Sequence, residues 1–219
     1  MHDSIQKYKD IISSIESKLE DQKITKFPKI IAISKTFKLE KILPLIDYGH
    51  LDYGENKVQE AIDKWTDIKL KISKIRLHLV GKLQTNKVKY AIKIFDYIHS
   101  VDSKKLAKKI ADEELKQNKK VKIFIQVNIG NEDQKSGIDK NQLSDLCTYC
   151  QELKLNVVGL MCIPPANEDS NKYFKETNLL NQKLNLSELS MGMSSDYLKA
   201  AENSSTYLRI GSRIFGNRT

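Results

Sequence analysis

Residues 30–36 read IIAISKT, five small or apolar residues followed by a lysine and a threonine. A short apolar run rich in β-branched residues and bounded by polar ones is typical of a buried strand. Lys35 comes where this strand ends, so its side chain reaches either open solvent or the mouth of a site. The fold decides between these two, and the rest of the chain repeats the same strand-then-helix unit.

Eight short β-rich runs recur along the chain, each followed by a stretch with apolar residues at helical spacing. The runs lie at 29–34, 50–54, 75–81, 97–101, 121–130, 155–163, 187–192 and 206–212, and a predicted helix at about 3–23 precedes them. An open doubly wound sheet also alternates in this way, but eight units with no Gly-x-Gly-x-x-Gly after the first strand favour the eightfold barrel. We therefore predict an α/β fold, a (β/α)8 TIM-type barrel with an extra N-terminal helix, that forms a single domain over residues 1–219.

The composition argues against membrane spans, disulfides and nucleic acid. No apolar run approaches the roughly 20 residues that cross a bilayer, the N-terminal segment has no signal-peptide stretch, and the three cysteines are an odd number. The formal net charge is +9, but the lysines are interleaved with acidic residues in predicted helices such as 104–120, as on solvated helix faces. We expect a cytoplasmic protein that binds neither nucleic acid nor membrane. Cys147 and Cys150 form one C-x-x-C motif with no second pair, so no metal site is expected.

Polar residues and glycines fall mostly at the ends of the predicted strands. In a β/α barrel the functional groups lie at the C-terminal strand ends, and phosphate often binds in the loops after strands seven and eight. The candidates at this rim are Lys35, Asn56, His78, Met191, Ser194, Arg209, Gly211 and Ser212. We expect them to face one common site.

Two chemical functions are indicated at this rim. A lysine that is partly desolvated has a lowered pKa, and its neutral amine forms a Schiff base with a carbonyl. Ser194 opens one predicted helix and Gly211 with Ser212 opens the last, so their hydroxyl and backbone N–H groups suit a phosphate. A Schiff-base lysine beside a phosphate site fits pyridoxal 5′-phosphate, and it fits a sugar-phosphate aldolase equally well.

Arg209 favours the first of these two ligands. Side chains alternate along a strand, so Arg209 and Gly211 point to the same face. If this face is the barrel interior, the guanidinium lies beside the phosphate site at the depth of a pyridine ring. Arginine keeps its proton, so it leaves a pyridine nitrogen unprotonated and weakens the ring as an electron sink. The alternative is an arginine on the outer face or one paired with a carboxylate.

Longer motifs resemble a known family. In chain order they are AISKT (32–36), YGENKVQEA (53–61), LHLVGKLQTNK (77–87), IHSVDS (98–103), IQVNIGNEDQKSGI (125–138), GLMCIPP (159–165), LSMGMSSD (189–196) and YLRIGSRIFGNR (207–218). Together they resemble the pyridoxal phosphate homeostasis protein family from about residue 5 to the C-terminus. The resemblance implies a single-domain barrel, similar to the N-terminal domain of alanine racemase, that binds pyridoxal phosphate.

The resemblance also implies roles for individual residues. By motif, Lys35 holds the cofactor covalently as a Schiff base through its side-chain nitrogen, and Arg209 faces the pyridine nitrogen. The implied phosphate contacts are Ser194, Gly211 and Ser212, although the family usually has threonine at the last of these positions.

Further positions carry over from the same motifs. Asn56 and His78 are implied to line the ring side, with Met191 nearby. Lys135, in the KSG motif, corresponds to a further reactive lysine of the family. The chain lacks the proline that often follows SKT, and Lys82 stands where histidine, proline or arginine is common; neither difference touches an implied cofactor contact.

Members of this family are regarded as carriers or regulators of vitamin B6 without an established catalytic turnover. We therefore expect no catalytic residue, a monomer, and pyridoxal-phosphate-dependent apoenzymes as recipients of the cofactor. The alternative is a fold-type III pyridoxal phosphate enzyme, such as an amino-acid racemase, on the same site. Weak racemase-type activity is compatible with both hypotheses.

Overall fold

A computed structural model describes residues 2–132, 134 and 136–216, and its eight parallel strands form a closed barrel. The strands are β1 (Lys29–Ile33), β2 (Asp52–Glu55), β3 (Arg76–Leu79), β4 (Tyr97–Val101), β5 (Lys122–Val127), β6 (Asn156–Cys162), β7 (Glu188–Met193) and β8 (Tyr207–Ile210). Each strand pairs with the next in sequence, and β1 pairs with β8 in the register Ile31 to Arg209, which closes the ring. The predicted (β/α)8 barrel is confirmed.

Helices cover the outside of the barrel. They are α1 (Asp3–Asp21), α2 (Leu39–Asp47), α3 (Val58–Lys71), α4 (Val88–Ile94), α5 (Lys104–Gln117), α6 (Leu143–Glu152), α7 (Ser170–Lys183), α8 (Tyr197–Glu202) and α9 (Ser212–Phe215). Short 3₁₀ turns at Thr85–Lys87 and Lys140–Gln142 precede α4 and α6. Helix α1 is the predicted extra helix, and it contacts α2, α8 and α9.

The lysine-rich helix α5 shows how the positive charge is distributed. Ser103 caps its N-terminus, where the hydroxyl accepts a hydrogen bond from the backbone N–H of Leu106, and Asn118 caps its C-terminus in the left-handed conformation. Its apolar face is buried, whereas exposed Lys108 pairs with Asp112 one turn along the helix at 2.6 Å. Such charges are solvated and locally neutralised.

Strand side chains alternate between two apolar layers. Ile30 and Ala32 of β1 pack in the outer layer, between sheet and helices. Ile31 and Ile33 pack in the inner layer, inside the barrel. Lys35 continues the inner series at the mouth. The C-terminal end of β1 therefore directs an amine into the barrel opening.

Within the described ranges, no helix has the length and apolarity to cross a bilayer. In the same ranges, no cluster of three or more His, Cys, Asp or Glu side chains is arranged to hold a metal ion. The three cysteines are free thiols and all are buried.

Candidate functional site

A cavity of about 360 Å³ opens at the C-terminal end of the barrel. This volume lies within the roughly 300–1,000 Å³ of small-molecule sites. Its apolar wall consists of Ile33, Val80, Ile163 and Met193. Its polar wall consists of Lys35, Ser194, Ser195, Arg209, Gly211 and Ser212. Five of the eight residues predicted from the sequence therefore meet at one cavity, although Lys35 lies far from the other four in the chain.

The residue before Lys35 is fixed by a buried network on the outer face of the barrel. The Ser34 hydroxyl donates to Glu55 Oε1 at 2.7 Å, and Trp65 Nε1 donates to the same oxygen at 2.9 Å. Lys64 Nζ donates to Glu55 Oε1 at 3.0 Å and to the carbonyl oxygen of Ser34 at 2.9 Å. Burial raises the pKa of Glu55, while the hydrogen bonds and the Lys64 charge oppose that rise. Because this network binds Ser34 outward, strand alternation turns Lys35 inward.

The residue after Lys35 is fixed as well. The backbone N–H of Thr36 donates to Glu60 Oε1 at 2.6 Å, and Lys64 Nζ donates to the same carboxylate at 3.0 Å. Thr36 has φ = 68°, in the left-handed region that threonine rarely adopts. Helix α3 thus holds both neighbours of Lys35 and ends the strand in a sharp turn.

Arg209 enters the cavity from β8 and is 5% exposed. Its Nη1 donates to the Ser190 carbonyl oxygen at 2.5 Å and to the Ser190 hydroxyl at 2.7 Å, and its Nη2 donates to the Cys162 carbonyl oxygen at 2.9 Å. No carboxylate of the described residues forms a salt bridge with it. Burial lowers the pKa of the guanidinium, but arginine remains protonated in proteins. The alternative of an outward or carboxylate-paired arginine is therefore wrong, and a buried cation lines the cavity.

The loops after β7 and β8 meet at the cavity. The backbone N–H of Gly211 donates to the Ser194 hydroxyl at 3.4 Å, and Arg213 Nε donates to the Ser194 carbonyl oxygen at 2.7 Å. Ser212 is the first residue of α9, as predicted from the sequence. Hydroxyl and backbone N–H groups lie beside a second guanidinium here, an arrangement that suits an anionic oxygen ligand.

The expected helix at Ser194 is wrong in its position. Helix α8 begins at Tyr197, and residues 194–196 form a turn. The Asp196 carboxylate accepts a hydrogen bond from the Met193 backbone N–H at 2.7 Å, which stabilises the turn instead of a further helical residue. Ser194 still lines the cavity, but from this turn.

Met191 and Asn56 do not reach the cavity. Met191 is buried in the outer apolar layer. The pairing of β7 with β8 shifts register between Ser190 and Met193, and Gly192 takes φ = 89°, so Met193 lines the cavity in its place. Asn56 lines a neighbouring groove together with Lys82.

His78 lies deeper than predicted. It is fully buried inside the barrel below the cavity and stacks on Tyr97 with ring centroids 4.3 Å apart. Its ring nitrogens contact Asp52 and His99. Inward alternation along β3 was the available signal for its direction, but its depth depends on strand length. Lys135 lies outside the described residues.

Comparison with known proteins places these features in context. Residues 17–219 match the family model described as alanine racemase, N-terminal domain. The chain is 40% identical over 200 residues to the pyridoxal phosphate homeostasis protein of Aquifex aeolicus, covering 87% of each. It is 33% identical over 199 residues to the protein of the same name from Escherichia coli K12, covering 86% of this chain and 85% of that one. The structure of PipY from Synechococcus elongatus with PLP bound aligns with a TM-score of 0.81 and 31% identity, covering 92% of this chain and 100% of that chain.

Proposed function

The chain belongs to the pyridoxal phosphate homeostasis protein family, and on this premise we propose that it binds pyridoxal 5′-phosphate (PLP) at the barrel mouth in vitamin B6 homeostasis. The observation that carries the proposal is that Lys35 and Arg209 line one cavity together with Ser194, Gly211 and Ser212. PLP presents an aldehyde, a ring nitrogen and a phosphate, and the cavity offers each group a partner of suitable chemistry. When bound, PLP supplies an aldehyde carbonyl that reacts with amines.

Lys35 holds the aldehyde in this proposal. Its neutral amine would hold the cofactor covalently through the aldehyde carbon, as a Schiff base. The inner-face position after Ile31 and Ile33 supports this role. The hydrogen bonds that Ser34 and Thr36 make with Lys64 and Glu60 of α3 support it as well. A fixed backbone on both sides limits the volume that the amine can reach.

Arg209 faces the ring nitrogen, and Ser194, Gly211 and Ser212 bind the phosphate. The guanidinium N–H groups that are not bonded to Ser190 or Cys162 are available to an acceptor in the cavity. Since arginine keeps its protons, the ring nitrogen accepts a hydrogen bond and stays unprotonated. This weakens the ring as an electron sink, which suits holding the cofactor better than turning over a substrate.

The proposed physiological role is that of an intracellular PLP carrier without catalytic turnover. It rests on the names of the relatives, which are homeostasis proteins. Three free, buried thiols fit a reducing cytoplasm. In this role the protein acts as a monomer and passes PLP to PLP-dependent apoenzymes.

Covalent trapping tests the cofactor assignment. The purified protein is incubated with PLP and reduced with borohydride, and the adduct is mapped by peptide mass spectrometry. We expect one adduct on Lys35, its loss in Lys35→Ala, and its retention in the matched control Lys38→Ala, which changes an exposed lysine outside the cavity. Full adduct occupancy in Lys35→Ala would refute the assignment, and its mapped position, with Lys135 examined first, would identify the true amine.

The family model's link to alanine racemase makes an amino-acid racemase the second candidate. The PLP-loaded protein is incubated with each alanine enantiomer, and the enantiomeric ratio is followed by chiral chromatography. We expect the ratio to stay constant. Sustained inversion that disappears in Lys35→Ala would replace the carrier proposal with the enzyme.

A further inference from the structure

A continuous chain of polar side chains crosses the barrel interior below the cavity. Asp52 Oδ1 lies 3.1 Å from His78 Nε2, and His78 Nδ1 lies 3.0 Å from His99 Nε2. His99 Nδ1 lies 2.8 Å from the Ser190 hydroxyl, which accepts from Arg209 Nη1 at 2.7 Å. The chain joins β2, β3, β4, β7 and β8, and all five side chains are buried. The proposed function assigns a role to only its last member.

Asp52 fixes the proton positions at the far end. Its Oδ1 accepts from Arg76 Nε at 2.7 Å, and its Oδ2 accepts from Arg76 Nη2 at 2.5 Å. Burial favours a raised pKa for Asp52, but hydrogen bonds from Arg76 and His78 outweigh it and hold the pKa well below its usual range. An ionised carboxylate only accepts hydrogen bonds. The Nε2 of His78 must therefore carry a proton and donate.

The two histidines transmit this direction. Burial lowers the pKa of His78, and burial together with the charge of Arg209 and the neighbouring ring lowers that of His99, so both rings are neutral at pH 7. A neutral imidazole that donates through one nitrogen accepts through the other. His78 Nδ1 therefore accepts from His99 Nε2–H, and His99 Nδ1 accepts from the Ser190 hydroxyl.

The last link is the Ser190 oxygen. Because its proton points to His99, its lone pairs face Arg209 and accept from Nη1. Every hydrogen bond of the chain thus points the same way, with donor hydrogens towards Asp52 and lone pairs towards the guanidinium. Aligned hydrogen bonds polarise one another in a low-dielectric interior. The chain thereby presents a strengthened acceptor to a buried cation that has no carboxylate partner among the described residues.

We propose that Asp52, His78, His99 and Ser190 form a positioning chain that orients the Arg209 guanidinium towards the ring nitrogen of bound PLP. This proposal rests on the proposed PLP site, but its geometry belongs to the protein alone. Without the Ser190 hydroxyl, the Ser190 carbonyl oxygen is the one hydrogen-bond partner that Nη1 keeps among the residues that the structure describes. The guanidinium then gains freedom to rotate, and its contact with the ring nitrogen weakens.

The first test uses the cofactor-free protein and leaves Asp52, His78, His99 and Ser190 unchanged. Side-chain ¹⁵N chemical shifts of the histidines are recorded at pH 7. The signals that are present both in His2→Gln and in His50→Gln belong to His78 and His99. We expect both rings as neutral Nε2–H tautomers. An imidazolium or an Nδ1–H tautomer at either position would overturn the chain, whatever the outcome for PLP.

The second test uses the PLP-loaded protein with Ser190→Ala, Ser190→Thr and the control Ser205→Ala. Ser205 is a buried hydroxyl on the neighbouring segment, bonded only to backbone oxygens in the described structure. The readouts are the PLP dissociation constant and the ¹⁵N shift of ring-labelled PLP. We expect Ser190→Ala to raise the dissociation constant about tenfold, the loss of one buried hydrogen bond to a charged group, and to move the ring-nitrogen shift.

Ser190→Thr restores the hydroxyl and is expected to restore the wild-type shift, while Ser205→Ala leaves it unchanged. Circular dichroism confirms that each variant is folded before the comparison is made. A Ser190→Ala protein with wild-type affinity and wild-type ring-nitrogen shift would refute the positioning role. Failure of the wild type to bind PLP would refute the proposed function instead, and the histidine tautomers would still support or overturn the chain independently.

Discussion

Lys64→Met is expected to destabilise the protein by an amount that depends on pH. Lys64 Nζ lies 3.0 Å from Glu55 Oε1, and these side chains are 10% and 0% exposed. Breaking a buried ion pair by removing one partner is costly, because the other charge is left without compensation. Burial already raises the pKa of Glu55. In the variant this carboxyl therefore takes up a proton in the folded state.

The cost of that proton sets the magnitude. In the unfolded chain, Glu55 ionises above its ordinary pKa of 4.5. Keeping it protonated in the folded state therefore costs about 1.4 kcal/mol of stability for each pH unit above that value. The largest possible protonation cost is therefore about 3 kcal/mol at pH 7 and about 1 kcal/mol at pH 5. The effect of the substitution is this cost minus the part that the wild type already bears, because its Glu55 pKa is also raised. The lost hydrogen bond to the Ser34 carbonyl adds about 1 kcal/mol at either pH. We expect a loss of about 2–4 kcal/mol at pH 7, smaller by at least about 1 kcal/mol at pH 5.

The sign follows from proton linkage. A carboxyl whose pKa is raised on folding binds more protons in the folded state than in the unfolded state. Stability is then highest at low pH and falls as the pH rises above 4.5. Lys64→Met strengthens this trend, so its deficit grows between pH 5 and pH 7.

Urea unfolding at pH 5 and pH 7 measures both values. Trp65 is the single tryptophan, and its indole N–H donates to Glu55, so its fluorescence reports directly on this region. Lys108→Met, which removes an exposed helix pair, is the matched control and is expected to change neither value. Adding Glu55→Gln to Lys64→Met removes the titrating group and with it the pH dependence. An equal loss at pH 5 and pH 7 in Lys64→Met would refute the reasoning.

Three further outcomes are expected. Burial lowers the pKa of His50 to about 4, from 6.5 in the unfolded chain, so stability present at pH 7 falls by about 2 kcal/mol at pH 5. His50→Gln should remove this part of the acid sensitivity in urea titrations, and an unchanged slope would contradict it. Gly159→Ala places a Cβ 1.7 Å from the Glu188 carbonyl oxygen, whereas the Cβ of Gly54→Ala meets the movable end of the Ile33 side chain. Gly159→Ala should therefore lower the melting temperature far more than Gly54→Ala, and similar melting temperatures would speak against this. Burial raises the pKa of all three thiols, so Ellman's reagent should label none before unfolding and three after it, and rapid labelling of the native protein would count against the buried positions.

The sequence predicted the barrel because its signal is repeated. Each of the eight strand runs is weak alone, but their regular alternation with helical spacing leaves few alternative folds. The same period of two residues placed Arg209 and Gly211 on one face of their strand, and the structure shows that this face is the one that lines the cavity. These predictions needed only local geometry, which a single chain segment carries within itself.

Predictions that needed distant geometry were less complete. Met191 lies in the outer apolar layer, and Met193 lines the cavity after a register shift of β7 that depends on the neighbouring strand. The helix at Ser194 failed because Asp196 stabilises a turn there. His99 is absent from the candidates drawn from the sequence, since its partners His78 and Ser190 come from other strands and meet it only when the barrel closes.

The two polar networks give the cavity two separate supports. The outer network of Glu55 and Lys64 holds the backbone on either side of Lys35, whereas the inner chain from Asp52 to Ser190 holds Arg209. The networks lie on opposite faces of the sheet, because strand alternation sends Glu55 outward and Asp52 inward. Under the proposed function, we therefore expect Lys64→Met to alter Schiff-base formation at Lys35 and Ser190→Ala to alter the environment of the PLP ring nitrogen.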